Sequence, residues 1–188
     1  TTGEQDPQVV MITSSTCGEA SSTLAVALAQ ATSSDGQRTL LMLADPKSES
    51  LKKIFASIES QPSPRTDDAI SFPSLDFELL PDSKVESVFS NGFGVQLGTL
   101  RGQFDSIIIL APPVLTASDT QLLAHYADVV IYAVRWEKTP LSAVQRGLDT
   151  LEQNSTVPIG LALTRTNSRK MRRYAAIAGA PILGLEIA

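Results

Sequence analysis

Short apolar runs alternate with longer stretches of helical periodicity along the chain. The runs predict six strands, at Val9–Thr13, Thr39–Leu43, Leu75–Leu80, Ser106–Ala111, Val129–Val134 and Ile159–Leu163. Several are almost continuous Ile, Val and Leu, which indicates strands buried on both faces, as in a parallel sheet. Helices are predicted over residues 22–33, 48–59, 83–101, 118–126, 140–153 and 168–178. We therefore predict an α/β fold, a doubly wound and mostly parallel sheet with helices on both faces.

The pattern also sets expectations for the first helix and for the extent of the domain. Leu24, Leu28 and Ala31 follow the spacing i, i+4 and i+7, and we expect this stripe to pack on the sheet. Residues 60–74 contain three prolines and no periodicity, which predicts a mobile loop. The length suits one domain, 1–188, and the absence of an initiator Met leads us to expect a domain excised from a longer chain. No apolar run approaches the ~18 residues of a membrane-spanning helix.

The composition of the chain argues against several classes of function. A net charge of −5 argues against a nucleic-acid-binding surface. One Cys and one His, Cys17 and His125, argue against a disulfide framework, a catalytic thiol and a zinc site. The local basic cluster is interpreted as a solvated helix face, with anionic phospholipid or an acidic partner segment as the alternative. It comprises Arg165, Arg169, Lys170, Arg172 and Arg173.

Residues 12–23 have the position and part of the sequence of a phosphate-binding loop. They follow an apolar run and precede an Ala- and Leu-rich helical stretch, and Gly18, Ser22 and Thr23 fit the P-loop pattern. In a working loop the backbone amides cradle phosphates, a Lys reaches the β- and γ-phosphates, and the hydroxyl binds magnesium. Here the Gly–Lys pair is replaced by Ala20–Ser21. The loop therefore lacks its cation.

Three motifs in order resemble the bacterial tyrosine kinases (BY-kinases) of capsule and exopolysaccharide synthesis, relatives of the partition and division-site ATPases. That family has a Walker A loop Pro-Gly-Glu-Gly-Lys-Ser-Thr, a strand Leu-Leu-Ile-Asp-Ala-Asp and a Walker B segment Asp-x-Pro-Pro. This chain has Cys17–Thr23, Leu40–Asp45 and Leu110–Pro113 at these places. The likeness runs from about Gln8 to Arg165. The resemblance implies a P-loop NTPase-like fold.

The departures from the family pattern concern its charged groups. The Walker A Lys is Ser21, the first acid of the second strand is Leu43, and the Walker B acid is Leu110. Because phosphoryl transfer depends on such cations and metal ligands, we predict no catalytic residue and no metal site. The resemblance leaves a vestigial phosphate-binding loop and three degenerate Walker positions. The loop is Cys17, Gly18, Glu19, Ala20, Ser21, Ser22 and Thr23, and the positions are Leu43, Asp45 and Leu110.

No cofactor is expected, although ATP or ADP binding stays open. The backbone amides of residues 17–22 precede a helix and could still attract an anion. A displaced lysine, among Lys47, Lys52 and Lys53, is a further alternative.

The replaced charged groups predict a catalytically inactive domain. The resemblance implies that it is a cytoplasmic interaction or regulatory module in polysaccharide export, at the inner face of the cell membrane. Its expected partner is a membrane-anchored export protein or its own upstream membrane segment, with a homo-oligomer as a further arrangement. Two alternatives remain. One is an active kinase or ATPase with non-standard residues, for which Tyr126, Tyr132 and Tyr174 are the available tyrosines. The other is a partition or division-site ATPase relative.

Overall fold

The computed structural model describes residues 8–44, 75–79, 92–153, 155–167 and 169–170. The six predicted strands are confirmed and form one sheet. They are β1 (Gln8–Ser14), β2 (Thr39–Leu43), β3 (Leu75–Leu79), β4 (Ser106–Leu110), β5 (Val129–Arg135) and β6 (Ile159–Thr164). Their order is β3-β2-β4-β1-β5-β6, and every pairing is parallel. The predicted doubly wound α/β fold is confirmed.

Helices cover both faces of the sheet. Helix α1 (Ser21–Ser34) packs on one face, whereas α2 (Gly92–Arg101), α3 (Asp119–Ala124) and α4 (Leu141–Glu152) contribute to the apolar cluster on the other. Alternate residues of each central strand supply the two clusters, as the two-residue period of a strand requires. The result is a sheet buried on both sides, which explains the nearly continuous apolar sequence of β1, β2 and β4.

The prediction that Leu24, Leu28 and Ala31 of α1 pack on the sheet is only partly correct. Leu24 and Leu28 contact the core from a half-buried position, but Ala31 is exposed. The fully buried face consists of Ala25, Ala29 and Ser33. These small side chains sit between the helix axis and the sheet, and their size lets the helix approach closely while the leucines lie at its flanks.

Several other expectations fall outside the described residues. They are the predicted helix 48–59, the loop 60–74, Asp45 and the candidate lysines that follow it. Of the predicted helix 83–101 the structure describes α2, and of 168–178 it describes the helical residues 169–170. Within the part of the chain that is described, no helix is both long enough and apolar enough to cross a bilayer.

The parallel arrangement positions the candidate site. All six strands end at the same edge of the sheet, and β1 lies between β4 and β5. The loop that leaves β1 therefore lies between the ends of β2 and β4 on one side and those of β5 and β6 on the other. This carboxyl edge is where open α/β sheets bind ligands.

Candidate functional site

The loop from β1 to α1 contains two residues with a left-handed backbone conformation, and one of them is not a glycine. Gly18 and Ala20 both have positive φ, of 86° and 60°. Glycine adopts such angles freely, whereas for alanine the left-handed region costs about 1–2 kcal/mol. The Ala20 carbonyl accepts the Leu24 amide at 3.0 Å, which is an early hydrogen bond of α1. The turn at Ala20 is therefore hydrogen-bonded but strained.

The Glu19 side chain folds back into the loop. It is only 3% exposed. Its Oε2 accepts the Ser15 amide at 2.8 Å, and its Oε1 accepts the hydroxyls of Thr16 and Thr139 at 3.2 and 2.9 Å. Thr139 lies in the turn between β5 and α4. The carboxylate thus joins the start of the loop to the neighbouring strand connection.

Further polar contacts extend this connection to β6 and α4. The Thr164 hydroxyl, at the end of β6, donates to the Glu19 carbonyl at 2.7 Å. Below the loop, the buried Tyr132 hydroxyl donates to Ser15 Oγ at 3.0 Å. Burial raises the pKa of the Tyr132 phenol; the Ser15 hydrogen bond opposes this rise and the Glu19 charge adds to it. A Cβ at Gly147 in α4 would overlap the Tyr132 hydroxyl, so this helix position requires glycine.

The exposed side of the loop carries small side chains. Cys17 is exposed and Thr23 is exposed, whereas Ser21 and Ser22 are half-buried in the first turn of α1. Ser21 supplies no positive charge where the family pattern has Lys. A cation reaches the loop from β5 instead, because Arg135 Nη1 lies 3.5 Å from the Gly18 carbonyl oxygen.

The two positions that the resemblance equates with magnesium-site acids lie side by side in the core. Leu43 at the end of β2 pairs with Leu110 at the end of β4, and Leu110 pairs in turn with Ile12 of β1. Leu43 is 1% exposed and Leu110 is 2% exposed. Both belong to the apolar cluster under α1 that includes Ala25 and Ala29.

These residues do not fit a magnesium ion. Mg²⁺ prefers oxygen ligands in octahedral geometry, and the paired leucine side chains offer none. Across the described residues, no three His, Cys, Asp or Glu side chains are grouped so that they could hold a metal. The side-chain oxygens in the first turn of α1 are the hydroxyls of Ser21, Ser22 and Thr23.

The position of the loop can be recognised in the sequence, but its polar support cannot. Thr139 and Thr164 lie 120 and 145 residues after Glu19, and no pattern in the sequence connects either of them to it. Of the basic cluster, Arg165 and Arg169 are exposed, and Lys170 pairs with Glu137 at 2.8 Å. Residues 172 and 173 lie outside the described part.

Comparisons with known proteins agree with this architecture. No family model matches the chain. A protein of Ralstonia nicotianae assigned as the tyrosine-protein kinase EpsB is 27% identical over 157 residues, which are 77% of this chain and 21% of that protein. Tyrosine-protein kinase CpsD of Streptococcus pneumoniae is 24% identical over 177 residues, 84% of this chain and 76% of CpsD. The chain spans only about a fifth of the EpsB length.

Solved structures point in the same direction. The kinase domain of VpsO matches with a TM-score of 0.70 at 27% identity, over 88% of this chain and 88% of that one. A protein assigned to plasmid partition from Borrelia burgdorferi, bound to AMPPNP, matches with a TM-score of 0.65 over 92% of this chain and 82% of that one. Its identity is 21%, so this second match shows the fold alone.

The parallel sheet, the loop after its central strand and these neighbours define a P-loop NTPase-like α/β domain. Within that class, the chain is related to the bacterial tyrosine kinases, with plasmid partition proteins as further structural neighbours. The resemblance inferred from the three motifs is confirmed.

Proposed function

We propose that this domain is a catalytically inactive relative of the BY-kinases that acts through protein contacts. The observation that carries the proposal is the buried pair Leu43 and Leu110. The two side chains occupy the ends of adjacent strands beside the loop, where the family pattern has carboxylates. Phosphoryl transfer relies on metal ions and cations to neutralise developing charge, and loss of one preorganised donor typically costs about 10²–10³ in rate.

In the family that the chain resembles, such domains serve capsule and exopolysaccharide synthesis. We accordingly propose a regulatory or assembly role in polysaccharide export and chain-length control, on the cytoplasmic side of the membrane. The proposed partner is a membrane-anchored export protein or a membrane segment of the same polypeptide, and self-association is a second arrangement. The exposed Leu161 and Leu163 on β6 provide apolar surface for such contacts.

The test is calorimetric titration of ATP and ADP into the purified domain, with and without Mg²⁺, together with a turnover assay. We expect no ATP hydrolysis above that of a Ser22→Ala control and no Mg²⁺-dependent binding. Intact mass after incubation with Mg-ATP checks for autophosphorylation. Tyr132 is a poor acceptor because it is fully buried, and Tyr126 is half-buried against Phe93 with ring centroids 5.0 Å apart.

Hydrolysis above the Ser22→Ala control, or a mass increase of one phosphate, would contradict the proposal. Such a result would favour an active kinase or ATPase in which other residues have rebuilt the site. Micromolar affinity that requires Mg²⁺ would favour the same alternative. A partition-type ATPase would in addition be expected to bind liposomes, which a sedimentation assay measures.

A second candidate is a nucleotide-binding domain without turnover. The position of Arg135 favours it, because a guanidinium next to the Gly18 carbonyl could partly replace the missing loop lysine. Binding that does not depend on Mg²⁺ and that weakens in an Arg135→Gln variant would support this candidate. Equal binding by the parent and Arg135→Gln would exclude a role for this cation.

A further inference from the structure

Glu19 is a buried acidic residue that the proposed function does not use. Its carboxylate is turned away from solvent and receives one amide and two hydroxyl hydrogen bonds. Two of these donors, Ser15 and Thr16, belong to the start of the loop. The third, Thr139, lies 120 residues further along the chain.

The backbone of Glu19 makes a separate long-range contact. Its carbonyl accepts the hydroxyl of Thr164, which is 145 residues away. Thr139 also accepts the Arg135 amide at 3.1 Å, so its hydroxyl is oriented within its own turn. Glu19 is therefore hydrogen-bonded through its side chain to the turn that follows β5 and through its backbone to the end of β6. Buried polar groups of this kind specify one arrangement when all of them are satisfied.

We propose that Glu19 is a positioning residue that holds the loop against the β5–α4 turn and the end of β6 without any nucleotide. A phosphate-binding loop normally gains order from the anion that it surrounds. Here the Glu19 carboxylate supplies hydrogen-bond acceptors from within the loop itself. This carboxyl edge consequently keeps a single shape whether or not a phosphate is present. The proposal does not depend on the domain being inactive.

The predicted behaviour of substitutions follows from the donors. Glu19→Ala removes every acceptor from the side chain and leaves the buried Ser15 amide without its partner. Glu19→Gln keeps one acceptor for that amide, and its NH₂ group can donate to the hydroxyls of Thr16 and Thr139, which are able to accept. The glutamine variant should therefore preserve the contact geometry although it removes the charge.

Hydrogen–deuterium exchange of the nucleotide-free domain tests the proposal. We expect the Ser15 amide to exchange about tenfold faster, or more, in Glu19→Ala than in the parent. In the variant this amide has lost the hydrogen bond that must break before it can exchange. Glu19→Gln should stay within about threefold of the parent. The amides of β4 serve as an internal reference and should exchange equally in all three proteins.

Two outcomes would overturn the proposal. One is an unchanged Ser15 rate in Glu19→Ala, and the other is an equal acceleration in the loop and in β4, which would show a loss of global stability only. If Glu19→Ala does not fold, Thr139→Val takes its place, with Thr139→Ser as the variant that retains the hydroxyl. Faster loop exchange in Thr139→Val but not in Thr139→Ser would support the proposal, and equal rates in both would overturn it.

Discussion

The two sides of the loop differ in the side chains that lie next to it. On the side of β5 and β6, hydroxyl groups of Thr139 and Thr164 hold Glu19 through hydrogen bonds of 2.9 and 2.7 Å. On the side of β2 and β4, Leu43 and Leu110 are cross-strand partners within the apolar cluster under α1. Both sides lie at the same edge of one sheet. The contrast shows that polar side chains support the loop on one side, whereas the strand ends on the other side belong to the apolar core.

This contrast has a physical basis. The polar side supports the backbone of the loop, so its loss would leave buried donors and acceptors unpaired. The acids on the other side would be stabilised only by a metal ion. Once no metal binds, a buried carboxylate is costly, and an apolar side chain of similar size is favoured. Leucine at positions 43 and 110 is therefore consistent with the proposed inactive domain, in which no magnesium would bind.

The largest predicted effect comes from returning a carboxylate to the apolar side. Leu110→Asp places a charge in a cluster where the side chain is 2% exposed, and we expect a loss of about 3–5 kcal/mol in the free energy of unfolding. Urea unfolding followed by circular dichroism measures it. Leu161→Asp, at a position that is 60% exposed, is the control and should cost less than about 1 kcal/mol.

A different result would break the comparison. If Leu110→Asp were as stable as the parent and acquired Mg²⁺-dependent ATP binding, the apolar side would still be a latent metal site.

The next largest effect concerns the close contact between Gly147 of α4 and the Tyr132 hydroxyl. Gly147→Ala would bring a Cβ into overlap with the Tyr132 hydroxyl and to 2.9 Å from its ring carbon Cζ. We expect destabilisation of about 1–3 kcal/mol, as for other overpacked cores. Gly98→Ala in α2 is the matched control, since nothing lies within 4 Å of its added Cβ, and it should gain up to about 1 kcal/mol. Denaturant midpoints of the two variants should shift in opposite directions.

The strained turn predicts a gain in stability. Ala20 has a φ of 60°, so Ala20→Gly should raise the free energy of unfolding by about 0.5–1 kcal/mol, the relief of strain less the added freedom of the unfolded chain. Gly18→Ala, at a φ of 86° with open space around the added Cβ, should have the opposite sign. Thermal unfolding of both variants provides the measurement. A loss of stability in Ala20→Gly would show that the turn is not strained.

The smallest predicted effect is a pH dependence far from the loop. Arg38 binds Asp105 at 2.7 Å and, through side-chain and backbone hydrogen bonds, lowers the pKa of that carboxyl from 3.8 to about 2. Because the folded pKa is below the unfolded one, this stabilisation is present above pH 3.8 and is lost as the pH falls towards 2. Melting temperatures between pH 5 and 2 should therefore fall less steeply in Asp105→Asn than in the parent.

Arg38→Gln provides the complementary variant because it removes the other partner of the pair. The Arg38 backbone amide still donates to Asp105 in this variant, so the acid sensitivity should weaken by less than in Asp105→Asn. If the melting temperature fell equally steeply with pH in the parent and in both variants, the contact would contribute nothing to the loss of stability in acid.

Most of the fold could be predicted because its determinants are local. Each predicted strand was found to within one residue at either end, since the fully buried strands are apolar runs. The stripe on α1 was misjudged because periodicity alone does not distinguish a close helix–sheet approach through alanines from a more distant one through leucines. The loop was located from its glycine and hydroxyls, but the role of Glu19 could not be found in that way.

The sequence by itself determined the strands, their parallel class, the position of the loop and the absence of charge at positions 21, 43 and 110. Each of these properties depends on residues that are neighbours in the chain. Only the tertiary structure decided that Leu43 and Leu110 are cross-strand partners and that Glu19 bonds to Thr139 and Thr164. Those contacts join residues up to 145 positions apart. The order of strands in the sheet creates them, and no local pattern encodes that order.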